Sequence, residues 1–142
     1  MAIEEPINPH PPGINTRIIN YMDLTILIPV KNEEDNISII VNEIEKIIKN
    51  INYEILFIND FSTDKTVDII AQQKNFKKNI QLIDNKKKGL GESVRNGIKF
   101  GKGKYLSIIM CDGSDDLNDL NKYILILDLL NLNFRKVKFN KR

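Results

Sequence analysis

The chain has 142 residues, 42% hydrophobic and 28% charged, and its 21 basic and 19 acidic side chains leave a formal net charge of +2. That composition is globular, the length serves one core rather than two, and the near balance of charge supplies no global field for nucleic acid. The single cysteine, Cys111, excludes an internal disulfide framework and suits a reducing, cytoplasmic compartment.

Residues 1–22 carry Glu4, Glu5 and a run of prolines before Gly13, where a signal peptide would need a basic start and an apolar core. They read as a flexible leader. Leu24 to Val30 is a short apolar run that predicts a buried strand, ended near Pro29 because proline has no N–H to pair. Lys31, Asn32, Glu33 and Glu34 form the following loop. Asp35 or Asn36 caps a helix whose apolar positions Ile37, Ile40, Val41, Ile44, Ile47 and Ile48 keep the helical period.

Tyr53 to Ile58, aromatic and β-branched, predicts a second buried strand with Asn59 and Asp60 at its carboxyl end. Ser62 or Thr63 then caps a helix from about Asp64 with Val67, Ile70 and Ala71 inward. Ile80 to Ile83 is a third strand ending at Asp84. The basic loop Lys86 to Gly91 leads into a helix with Val94, Ile98 and Phe100 inward, which Gly101 and Gly103 end. Tyr105 to Met110 is a fourth strand, broken by the acidic run from Asp112 to Asp116, and Leu117, Leu120, Ile124 and Leu127 mark a last helix. Regular alternation of strands and helices predicts a three-layer, Rossmann-like α/β domain over residues 23–133, with a parallel sheet and right-handed crossovers. Residues 134–142 are a basic tail or a short strand. Neither the run Leu24 to Val30 nor Tyr123 to Leu132 approaches the roughly 20 residues that span a bilayer.

Acidic residues recur at strand ends on one predicted rim: Glu33 and Glu34, Asp60, then Asp112, Asp115 and Asp116. Gathered carboxylates repel unless a cation or donors balance them, and hard oxygen ligands of this kind suit Mg²⁺ or Mn²⁺. Helix capping is the simpler role for Glu34, Asp64 and Asp116, which leaves Asp60 and Asp112 as the functional candidates. The Gly89-Leu-Gly91 loop lacks the third glycine of a dinucleotide fingerprint, since Val94 stands there. With Arg95 and Lys86 to Lys88 it can help neutralise an anion. Cys111 has no histidine to activate it and reads as a core residue; His10 lies in the leader.

Four stretches, in this order and spacing, resemble the family 2 glycosyltransferases and within them the dolichol- and polyprenyl-phosphate sugar synthases. They are Ile28-Pro-Val-Lys-Asn-Glu-Glu-Asp-Asn-Ile37, Tyr53-Glu-Ile-Leu-Phe-Ile-Asn-Asp-Phe-Ser-Thr-Asp-Lys-Thr66, Gly89-Leu-Gly-Glu-Ser-Val-Arg-Asn-Gly97 and the Asp112 loop. The resemblance implies a GT-A fold, truncated after about four β-α units, that binds a UDP- or GDP-sugar and a divalent metal. It implies donor contacts from Pro29, Val30, Lys31, Asn32 and Glu33, from Asn59 and Asp60, from Gly89 and Arg95, and from Asp112. Asp60 matches the carboxylate that hydrogen-bonds the base, and Asp112 the one at the metal and diphosphate. Met110 occupies the first acid of the family's Asp-x-Asp, which leaves Asp115 as the second metal candidate; Lys31 stands where relatives stack an aromatic on the base. No catalytic base is assigned.

The resemblance further implies an acceptor such as a polyprenyl phosphate, peripheral contact with a membrane surface, and a partner chain to supply the acceptor half. Two other readings are a non-catalytic interaction fragment and a receiver-like phosphoacceptor domain with Asp84 as acceptor.

Overall fold

A computed structural model describes residues 23–129 of the chain, so the expected leader and the tail at 134–142 lie outside the described residues. The elements run β1 (Leu24–Val30), α1 (Ile37–Ile47), β2 (Tyr53–Asn59), α2 (Thr66–Phe76), β3 (Ile80–Asp84), α3 (Leu90–Phe100), β4 (Tyr105–Ile108) and α4 (Leu117–Leu129). The strands form one sheet in the order β3-β2-β1-β4, every pairing parallel. This is the doubly wound arrangement that the alternation predicts. A receiver-like sheet would set β3 on the far side of β1 from β2, so the observed order excludes that reading.

The pleat divides the strands between two apolar layers. Leu24, Ile26, Ile28, Ile55 and Phe57 face α1, α2 and α4, where they meet Ile37, Ile40, Val41, Ile44, Ile70, Leu120 and Ile124. Leu27, Leu56 and Ile58 face the other way, against Val94 of α3. Strands buried on both faces read as continuous apolar runs rather than alternating ones, which is why β1 and β2 are so plain in the sequence.

Three expectations need correction. In α2 the buried residues are Thr66 and Ile70, while Ala71 is exposed. In α3 the buried residues are Ser93 and Gly97, and Ile98 and Phe100 face solvent. The helix turns small residues to the sheet because the backbones approach closely: a Cβ on Gly97 would lie 2.4 Å from the Leu27 side chain. Regular β4 ends at Ile108 rather than Met110, for the Met110 N–H is taken by the Asp115 carboxylate at 2.7 Å.

At the amino end of the sheet, buried Glu54 accepts from the Thr25 hydroxyl at 2.7 Å and the Lys102 N–H at 2.5 Å, and Gly103 N–H donates to Thr25 at 2.9 Å. A Cβ on Gly103 would come within 2.3 Å of the Thr25 backbone nitrogen. Gly103 therefore serves close packing on β1, not a left-handed helix end.

Candidate functional site

The carboxyl ends of the strands form one rim, and the first two loops on it are tied together by their own polar atoms. Asn32, at φ 55, donates its N–H to Ser62 at 3.1 Å and accepts from the Thr63 N–H at 2.8 Å. Glu33 N–H donates to the Thr66 hydroxyl at 2.8 Å, Glu34 N–H to Asp64 at 3.2 Å, and Lys65 N–H to Glu34 at 2.9 Å. Asp64 also accepts from the N–H and hydroxyl of Thr66 and so fastens the start of α2. Burial works to raise its pKa, but the bonds from Thr66 and Glu34 outweigh it and hold the carboxyl below its ordinary value. Ser62 and Thr63, expected as helix caps, instead bind the Asn32 loop. Neither helix start has a side-chain cap at its N-cap residue, Asn36 for α1 and Lys65 for α2. The Asn36 amide goes to the Glu33 carboxylate at 2.7 Å.

Asp60 anchors the centre of the rim. Its N–H donates to the carbonyl of Val30, the last residue of β1, at 2.8 Å. Its carboxylate accepts from the Asn85 amide at 3.0 Å and from the Gly89 N–H at 3.0 and 3.1 Å. These bonds, Asn85 first, hold its pKa below the usual carboxylate value against partial desolvation, with help from the charges of Lys31 and Lys88. Gly89 sits at φ 121, ψ 150, a region essentially reserved for glycine, and this conformation is what turns its N–H to Asp60. Beside Asp60, exposed Phe61 has φ 60, and the Lys88 ammonium lies over its ring at 5.6 Å.

Asn59 is buried at the end of β2, where it donates to Asp84 at 2.8 Å and accepts from the Ser62 N–H at 3.0 Å. Asn85, which the sequence reading passed over, is the hub of the group: it also donates to Ser93 at 2.9 Å and accepts from Asn96 at 2.8 Å. Its position just past a strand end was the available signal, the same one that marks Asp60.

Asp112 is exposed and accepts from the Ser114 N–H at 3.0 Å, and Ser114 holds its pKa below the ordinary value. The Cys111 thiol is pushed up to about 12, by burial first and then by the carboxylates of Glu33 and Asp112. Asp116 accepts from the Asn118 N–H at 2.9 Å, at the start of α4. Arg95 is not drawn into this group; its exposed guanidinium pairs with Glu92 at 3.3 Å. Among the described residues, no group of three His, Cys, Asp or Glu side chains could hold a metal by itself. Asp112 is exposed, and Asp115, three residues on, is bonded through its carboxylate to the Met110 N–H at 2.7 Å.

Residues 25–129 match the model of glycosyl transferase family 2. The chain belongs to that family. The dolichyl-phosphate beta-glucosyltransferase of Dictyostelium discoideum is 30% identical over 118 residues, covering 76% of this chain and 36% of that protein. The structure of Staphylococcus aureus TarS residues 1–349 in complex with UDP-GlcNAc superposes with a TM-score of 0.65 at 21% identity, over 76% of this chain and 32% of the other. Glucosyl-3-phosphoglycerate synthase of Mycobacterium tuberculosis, in complex with Mn²⁺, UDP and its product, gives a TM-score of 0.51 at 20% identity, over 68% and 35% of the two chains. These superpositions establish a GT-A, Rossmann-like fold for the sheet and helices described above. The chain spans about a third of the length of these relatives.

Proposed function

We propose that this family 2 domain binds a nucleoside-diphosphate sugar across the carboxyl rim of its sheet, as the donor half of a glycosyltransferase. The observation that carries the reading is the Asp60 carboxylate, held by Asn85 and Gly89 between the charges of Lys31 and Lys88. An ionised acceptor fixed at a strand end suits the N–H edge of a nucleobase, and the flanking ammonium groups suit a diphosphate. Pro29, Val30, Asn32, Glu33 and Asn59, at or just past the ends of β1 and β2, are the further donor contacts of this reading, with Arg95, exposed on α3 beside Glu92.

Mg²⁺ or Mn²⁺, held by Asp112 and Asp115 with the ligand's phosphates, would supply Lewis-acid stabilisation of the departing diphosphate. The Mycobacterium neighbour's Mn²⁺ and UDP support this choice of ions and ligand. Guanine and uracil nucleotides both remain candidate donors.

The acceptor we favour is a polyprenyl phosphate at a membrane surface, in keeping with the dolichyl-phosphate relative. The contact we propose is peripheral; among the described residues no helix is long and apolar enough to cross a membrane. A phosphate oxygen is already ionised at neutral pH and needs no general base. Positioning the acceptor is another matter, since orientation accounts for ~7–11 kcal/mol of such a barrier. That platform would come from outside residues 23–129, from a further segment or a partner chain.

Thermal unfolding with UDP, GDP and, as a control, AMP, each with Mn²⁺, tests the donor reading. A ligand at 100 times its dissociation constant stabilises by about 2.7 kcal/mol, so UDP or GDP should raise the midpoint by several degrees. Equal midpoints with every nucleotide would leave the second reading, a non-catalytic interaction fragment. Sugar transfer to polyprenyl phosphate by the purified chain would refute the need for an added acceptor platform.

A further inference from the structure

We propose that the Asp60 site takes uracil in preference to guanine, because its carboxylate has one oxygen open to a ligand and a lysine on either side. The proposal rests on the nucleotide-sugar reading, within which it fixes the base.

The two carboxylate oxygens of Asp60 are unequally occupied. Oδ1 accepts from the Asn85 amide at 3.0 Å and from the Gly89 N–H at 3.0 Å. Those donors fill the lone pairs of a carboxylate oxygen. Oδ2 shares the Gly89 N–H at 3.1 Å and has no other partner among the described residues, so it keeps a lone pair for a ligand. Asn85 is itself fixed: it is buried, its amide also donates to Ser93 at 2.9 Å, and its carbonyl accepts from Asn96 at 2.8 Å. Turning away to release Oδ1 would break those bonds. Asp60 is half-buried, so a ligand can reach it from the rim.

The sheet order β3-β2-β1 sets Asp60 between Lys31 and Lys88. The Asp60 N–H is bonded to the carbonyl of Val30, so Lys31, the next residue, leaves β1 on one side. Lys88 precedes Gly89, whose N–H is on the carboxylate, and so comes from the β3 side. Both ammonium charges act on Asp60. The rim thus offers donor, acceptor and donor in a row.

Uracil presents the complementary edge, a ring N–H between two carbonyl oxygens. Guanine presents a carbonyl, a ring N–H and an amine. Its adjacent donors call for both carboxylate oxygens, and Oδ1 is already filled. Held on Oδ2 by the ring N–H alone, guanine turns its amine toward an ammonium group. Cytosine sets an unprotonated ring nitrogen against the carboxylate. Each ammonium has three donors, so facing a base carbonyl leaves others for the diphosphate. A site made of hydrogen-bonding groups rejects a mismatched pattern far more strongly than an apolar pocket rejects a change of size.

Calorimetric titration of the purified chain with UDP, GDP, CDP and 3-methyl-UDP, at one Mn²⁺ concentration, tests the proposal. UDP is expected to bind about tenfold or more tightly than GDP or CDP, and the methyl group on N3 to remove a similar factor. Lys31→Gln and Lys88→Gln, both at exposed sites, should each narrow the ratio of UDP to GDP affinity, whereas lysines serving the diphosphate alone would lower both affinities equally. Thymine shows the same edge as uracil and is distinguished by dTDP, whose tighter binding than UDP would overturn the choice of uracil.

GDP or CDP binding as tightly as UDP, tolerance of the methyl group, or an unchanged ratio in both lysine variants overturns the assignment of the base and leaves nucleotide binding standing. No binding by any of the nucleotides defeats the nucleotide reading itself, and the assignment falls with it.

Discussion

Gly89→Ala perturbs the joint between the loop after β3 and the carboxylate at the centre of the rim. At φ 121 and ψ 150 an added Cβ is strained, and nothing lies within 4 Å of it, so the penalty is conformational rather than a clash. Holding a non-glycine residue there costs about 1–3 kcal/mol. If the loop relaxes instead, it gives up the N–H bonds to Asp60 at 3.0 and 3.1 Å, charge-assisted contacts worth about 1.5–3 kcal/mol when shielded from water and less here. Reduced entropy of the unfolded chain returns about 0.4–1 kcal/mol. The net expectation is a loss of about 1–2 kcal/mol in urea unfolding. Gly91→Ala, two residues on, is the control: it lies inside α3 with open space around it and should gain roughly 0.5 kcal/mol from helix propensity. The two substitutions should therefore move the urea midpoint in opposite directions. Equal or same-signed shifts would refute the role given to Gly89.

Other consequences follow from the same contacts. The Cys111 thiol, pushed up to about 12 and buried, should resist iodoacetamide at pH 8 in the native protein and react promptly once urea unfolds it; comparing the two rates by mass spectrometry decides it. The folded pKa of Asp60 is lowered, so its stabilising effect is present above the unfolded value of roughly 3.9 and lost as pH falls through the folded value. Asp60→Asn should accordingly lose stability at pH 7 and converge with the parent chain in acid, read from urea midpoints at several pH values. Glu54→Ala would orphan the Thr25 hydroxyl and the Lys102 N–H, at a cost of about 2–3 kcal/mol in the same assay, whereas Glu54→Gln keeps the accepting oxygen and should recover most of it.

The elements whose inward face is apolar were legible in the sequence. β1, β2 and α1 present unbroken or strictly periodic apolar residues, and each falls where the pattern put it, except that β1 does not stop near Pro29: pairing runs on to Val30 opposite Asn59, because proline lacks only its own N–H. α3 misled because periodicity treats the bulky apolar side as the inner one. Here close approach to the sheet demands Ser93 and Gly97, and Ile98 and Phe100 are left outside. α2 is fastened by the Thr66 and Asp64 hydrogen bonds as well as by Ile70, and no apolar count registers a hydroxyl contact.

At the site, a strand end gave Asp60 its prominence, but its partners Asn85 and Gly89 are 25 and 29 residues away and are brought to it only by the β2–β3 pairing. The sequence likewise grouped Arg95 with the rim, whereas the folded side chain pairs with Glu92 on its own helix.

Calorimetric titration of the purified chain with UDP- and GDP-sugars, with and without Mn²⁺ and beside an Asp60→Ala control, tests the central claim most directly. The account predicts saturable binding that Mn²⁺ strengthens and that Asp60→Ala weakens by about tenfold or more, the worth of one charge-assisted hydrogen bond. Heats of dilution alone from a chain shown to be folded, or binding unaffected by Asp60→Ala, would contradict it.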